Sequence, residues 1–209
     1  MLLIMNKYYT IVAPVEAESR VKDSTFIAFL HPVATRQEAE ACIADRRRKF
    51  PDATHHCYAF RVGFDERLIA KSSDAGEPAS TAGRPILQAL ERRHLTNLVA
   101  IVTRYFGGTK LGTGGLVRAY GGATAAAIAS ATLVEAFSKQ FLRLRYSYAQ
   151  TAAVQKILRL VAAETLQEKF DGEVSQVIAV RLPRAAETGS LLREACAGKI
   201  IIEALDPML

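Results

Sequence analysis

Two linked stretches decide how this 209-residue chain folds: Ser73–Leu90, SDAGEPASTAGRPILQAL, and Asn97–Ala123, NLVAIVTRYFGGTKLGTGGLVRAYGGA. Between Ser73 and Gly122 stand nine of the thirteen glycines. A glycine that serves neither a positive-φ turn nor a close backbone approach costs about 0.5–1 kcal/mol in a regular element. So dense a cluster predicts backbone that bends sharply and presents main-chain N–H groups at a surface. Leu98-Val99-Ala100-Ile101-Val102 is a continuous apolar run, expected as a central strand buried on both faces. Arg104-Tyr105-Phe106-Gly107-Gly108 then turns through Lys110 into a helix expected to begin near Gly114 or Gly115. Leu116, Tyr120, Ala123, Ala127, Ile128 and Ala131 form its expected buried face. Arg118 lies on the other side, in the first turn, where a cation opposes the helix macrodipole. An anion held between free N–H groups and Arg118 would explain its place there.

Known phosphate loops do not fit this segment. Gly107 and Gly112 have the glycine spacing of a P-loop, but Thr113-Gly114 stands where Lys-Ser/Thr belongs. Gly112 and Gly114 begin a dinucleotide fingerprint, and Val117 replaces its third glycine. The companion motifs of a kinase loop are missing. What remains is a strand, a glycine-rich turn at Gly112, Gly114 and Gly115, and a helix N-terminus, with Lys110 and Arg118 beside them. Lys71, Arg84 and Arg104 are the further candidate anion ligands; from Lys71 to Gly121 seven Lys/Arg face three Asp/Glu. Tyr105 and Phe106 offer aromatic faces for stacking on bases, with a core role expected for at least one of them.

Outward from this segment, Tyr8–Val15, Ser24–Val33 and Ala53–Val62 read as strands. Thr35-Arg36-Gln37-Glu38 has capping-box spacing and opens a helix to about Lys49. Its Arg46-Arg47-Arg48-Lys49 run is either a phosphate patch or a cation cluster suited to a helix C-terminus. Asp65–Lys71 reads as a polar turn, and Pro85 as an early residue of a helix carrying Ile86, Leu87 and Leu90 inward. Downstream, Leu142, Leu144, Tyr146 and Tyr148 alternate as a half-buried strand. A helix introduced by Thr151 follows, then a hairpin through Asp171-Gly172, a helix with Leu191, Leu192 and Ala195 inward, and a strand over Ile200–Leu205. This β-α-β-β-α-β order is the ferredoxin-like arrangement. The expected architecture is α+β, with domains at 1–138 and 139–209.

Half the residues are hydrophobic and 23% are charged, a globular composition. The net charge of +6 is uneven: residues before Gln140 carry an excess of +5 and the remainder +1. A basic first part suits an anionic partner, nucleic acid being the commonest. Cys42, Cys57 and Cys196 are odd in number and scattered, so no disulfide framework is expected. The opening MLLIM is too short for a leader, and no apolar run reaches the length of a membrane span, so no membrane partner and a cytoplasmic location are expected. His55 and Cys57 share a strand face, but no second short-spaced Cys/His pair exists to complete a zinc site. Asp74 and Glu77, three apart in a Gly/Pro loop, suit turn capping or arginine pairing better than acid–base catalysis. No catalytic residue, metal or cofactor is expected.

DATHHCYAF, GEPASTAGRPIL, VTRYFGGTKLGTGGLVRAY and the strand beginning STFIAFL together resemble the IMPACT family of translation-associated proteins. The resemblance runs from about Tyr9 to Ala131. It implies a ribosomal-protein-S-five-like N-terminal domain with a left-handed βαβ crossover, and a small ferredoxin-like domain after it. Its motif falls on His55, Asp74, Gly76, Glu77, Thr81, Gly83, Arg104, Tyr105, Phe106, Gly107, Gly108, Lys110, Gly112, Gly115, Arg118 and Tyr120. Where the family reads Asp-Asp-Gly-Glu-Pro this chain has Asp74-Ala75-Gly76-Glu77-Pro78, which argues against two-carboxylate chemistry; His56 stands where the family reads Asn. The chain begins close to the shared domain, so the kinase-directed module of eukaryotic members is not expected. For short members the resemblance implies RNA or ribosome binding. The alternatives are a regulator that docks a protein partner through the C-terminal domain, and an enzyme acting on a phosphorylated small molecule.

Overall fold

The computed structural model describes residues 8–205; the MLLIM opening lies outside the described residues. The chain forms two compact units that meet in sequence between Ala136 and Phe137.

The first unit runs β1 (Tyr8–Ile11), β2 (Val15–Val21), β3 (Ser24–Pro32), α1 (Arg36–Lys49), β4 (His55–Val62), β5 (Ile69–Ser73), α2 (Gly83–Glu91), β6 (Leu98–Tyr105), α3 (Gly112–Ser130) and β7 (Leu133–Ala136). Five of the strands form an antiparallel sheet in the order β2-β3-β6-β4-β5. The apolar run Leu98–Val102 is therefore its middle strand, buried on both faces as expected. Period-two alternation divides it: Val99 and Ile101 join Phe60, Val62 and Ile43 under α1, while Leu98, Ala100 and Val102 join Phe26, Cys57, Leu116 and Tyr120 under α2 and α3.

Thr35 caps α1 by accepting from the Glu38 amide at 3.1 Å, and Glu38 reaches back to the Ala34 amide. The expected Tyr8–Val15 strand is in fact two. β1 pairs with β7, near the other end of the first unit, and β2 turns to pair with β3. α3 starts at Gly112 rather than Gly114 or Gly115, and Ala131 lies just past its end. β5, expected as part of a polar turn, is the edge strand beyond β4.

The second unit is β8 (Lys139–Tyr146), α4 (Thr151–Val161), β9 (Glu164–Asp171), β10 (Glu173–Arg181), α5 (Ala185–Ala195) and β11 (Ile201–Leu205). Its antiparallel order β11-β8-β10-β9 is the ferredoxin-like one. Leu142, Leu144, Val154, Leu158, Ile178 and Leu192 fill a core of its own. Tyr148 leaves the strand and is exposed, and Cys196 takes the inward place expected of Ala195. Both units mix helices and sheets, an α+β fold.

Candidate nucleic-acid interface

The Ser73–Gly83 loop folds around the Asp74 carboxylate. One oxygen accepts from the amides of Ala82 (2.9 Å) and Gly83 (2.8 Å), the other from the amide of Ser80 (2.8 Å). Burial pushes this carboxyl up, but the amides of Ala82, Ser80 and Gly83 together outweigh it and hold it below the usual range. Thr81 Oγ1 donates to the Pro78 carbonyl at 2.7 Å and closes the same turn. Gly83 packs so tightly that a Cβ there would stand 2.7 Å from the Ser73 backbone.

Beneath the loop sits a buried polar clamp. Glu77 Oε1 accepts from Arg104 Nη1 at 2.6 Å and from the Tyr120 hydroxyl at 2.7 Å. Arg104 Nη2 donates to Ser24 Oγ at 3.2 Å, and its guanidinium lies 5.4 Å from the Phe26 and Phe106 ring centroids. His55 Nδ1 donates to the Ala75 carbonyl at 2.9 Å, leaving Nε2 3.9 Å from Glu77. The neighbouring Cys57 thiol is pushed up to about 12 by burial and donates to the Asp74 carbonyl. A thiol so high is not a nucleophile at neutral pH. These contacts tie the loop, β3, β4, β6 and α3 together; their chemistry is that of a bracket.

His56 is accounted for on the opposite sheet face. Its Nε2 donates to the Phe50 carbonyl, so Nδ1 accepts from the Thr103 hydroxyl.

Two of the expected anion ligands are placed elsewhere. Arg104 is 5% exposed and held within the clamp, so its charge already has a partner. Lys71 pairs with Glu40 of α1 at 3.5 Å, across the sheet from α3, because it opposes Phe60 in the ladder and shares its face. Gly112, Gly114, Gly115 and Arg118 remain together at the first turn of α3. α3 begins with Leu111 as N-cap and no side-chain cap, and Gly112, Gly114 and the outer face of the first turn are exposed. The Arg118 guanidinium folds back over that turn, 3.6 Å from where a Gly114 Cβ would stand. Arg84, Lys110 and Arg118 are exposed, and among the described residues no carboxylate pairs with them. Arg118 is the only charged residue in the nineteen of α3.

Arg92 and Arg93 belong to this surface as well. With Arg118 they line a groove of about 480 Å³ between α2 and α3, floored by Pro85, Ala89, Gly121, Gly122 and Ala125. Both follow Glu91 at the end of α2, three and four residues beyond Ala89, a spacing that is legible in the sequence as one helical face.

The turn between β6 and α3 is pinned to the β2–β3 hairpin. A Cβ on Gly107 would stand 1.8 Å from the Asp23 carbonyl oxygen, Thr109 Oγ1 donates to Asp23 at 2.6 Å, and Gly108 has a φ of 94° with open space around it. Neither Tyr105 nor Phe106 takes the core role expected for at least one of them: Tyr105 is half-buried with its hydroxyl donating to Asp52 at 3.1 Å, and Phe106 is 44% exposed, because both follow the end of the buried run of β6. Among the described residues no three His, Cys, Asp or Glu side chains cluster closely enough to hold a metal, and no helix is long and apolar enough to cross a membrane.

The Impact N-terminal domain model matches residues 22–128. An IMPACT family member of Haemophilus influenzae is 32% identical over 203 residues, covering 97% of this chain and 98% of the relative. The IMPACT family member YigZ of Escherichia coli is 31% identical over 203 residues, covering 97% and 100%. A crystal structure titled as that of a hypothetical protein superposes with a TM-score of 0.71 at 30% identity, covering 98% of this chain and all of that one.

Proposed function

The chain belongs to the IMPACT family, and from that premise we propose that it is a non-enzymatic, translation-associated protein that binds RNA, free or in the ribosome, by its sugar-phosphate backbone. The observation that carries this reading is the set of exposed cations Arg84, Arg92, Arg93, Lys110 and Arg118, on α2 and its end and at the start of α3, none of which pairs with a carboxylate among the described residues. Backbone N–H groups and arginines recognise phosphate oxygens without reading base sequence. The buried clamp supports that surface: it holds the loop before α2, the end of β6 and Tyr120 of α3 in one arrangement. Direct titration of a labelled RNA tests the proposal. Arg118→Glu weakens binding to unrelated RNA sequences by the same factor, whereas unchanged affinity for all of them refutes it.

One observation favours a second reading, a protein partner on the C-terminal unit. All eight residues of β9 are exposed at a sheet edge, with Leu166 and Phe170 among them. An exposed edge strand is a template for an added strand. A partner that survives nuclease treatment and is lost on β9 substitution would support this reading.

A further inference from the structure

We propose that the RNA bound here is single-stranded at the contact point, with one unstacked base lying on the ring of Phe106. This rests on the RNA-binding reading above and adds to it the form of nucleic acid selected. Phe106 follows the buried middle strand directly, and it is exposed although a large apolar ring gains by burial. Its position is fixed: the amide donates to Thr54 Oγ1 at 3.1 Å, and the Arg104 guanidinium lies over the ring. Because Arg104 is itself held by Glu77, the platform is rigid before any ligand arrives.

The surroundings leave room for a nucleotide. Gly107 and Gly108 place no side chain beside the ring, and Gly108 looks into open space. The Asp23 carboxylate, held by the Thr109 hydroxyl, leaves one negative charge at the far side of the turn. Lys22 Nζ lies 3.5 Å from the Lys110 carbonyl, so two cations flank the turn. In this proposal the phosphates of the stacked nucleotide run along the turn that carries Lys110. Duplex RNA turns its base faces inward and offers this ring nothing to stack on.

The test measures the affinity of the full chain for oligouridine and for an RNA duplex of equal length. Phe106→Leu is expected to lose about tenfold in affinity for oligouridine, while Phe106→Tyr retains it and duplex affinity stays unchanged. The salt dependence of the leucine variant should match wild type, since no phosphate contact is removed. Equal oligouridine affinity for Phe106→Leu and wild type, or equal losses on both RNAs, overturns the inference. Arg118→Glu separates the two levels: if it weakens both RNAs while Phe106→Leu changes neither, backbone binding stands and base stacking falls. If neither variant changes either affinity, both fall.

Discussion

At the scale of single residues, the motif divides into groups that hold the fold and groups that face solvent. Glu77 belongs to the first kind. Removing it leaves the Arg104 guanidinium buried without its counter-charge, so Glu77→Ala should cost about 3–5 kcal/mol in a denaturant titration. A near-neutral result would mark the carboxylate as a reactive group instead of a bracket. Asp74 gives a pH signature. Its folded value lies below the ordinary Asp value of about 3.9, so its contribution is complete above that value and is lost as pH falls through the lower folded one. Asp74→Asn should therefore lose about 1–2 kcal/mol at neutral pH and draw level with wild type in acid, as followed by thermal melts across pH. Cys57, raised to about 12 by burial, should resist alkylation until the protein is unfolded; mass spectrometry of native and denatured samples reads this directly. Turn capping by Asp74 and arginine pairing by Glu77 were legible in the sequence; the buried duty of Arg104 was not. Arg104 and Arg118 look alike in a string of letters; only the ladder that turns Arg104 toward Glu77 separates a paired cation from a free one.

At the scale of elements, strong patterns were legible and weak ones were not. Leu98–Val102 could be assigned to the sheet centre because a strand covered on both faces must be apolar throughout. Ile69–Ser73 and Leu133–Ala136 carry no such mark: both are largely exposed, and their strand character comes from β4 and β1, which lie elsewhere in sequence. The helix start at Gly112 was misread because glycine has no intrinsic preference for a helix interior, and the positive φ at Gly112 follows from the turn entering α3. The Gly107 contact with the β2–β3 hairpin is invisible in the sequence for a different reason: it joins segments 84 residues apart. That contact leads to a prediction. Gly107→Ala must push the turn off Asp23, which should destabilise the protein by about 1–3 kcal/mol and raise hydrogen exchange in the hairpin tip and the Phe106–Lys110 turn alone. Unchanged exchange there would mean the two segments do not pack as described.

At the scale of the whole molecule, charge is what connects fold to function. The excess of positive charge lies in the first unit, and the clamp, the pinned turn and the small residues of α3 keep that charge on an open surface. The most direct test of the account is the salt dependence of RNA affinity for the full chain and for Arg118→Glu. The account predicts that the logarithm of the association constant falls linearly with the logarithm of salt, with a slope reduced by about 1 in the variant. An affinity indifferent to salt, or one whose slope and magnitude the substitution leaves untouched, would contradict it.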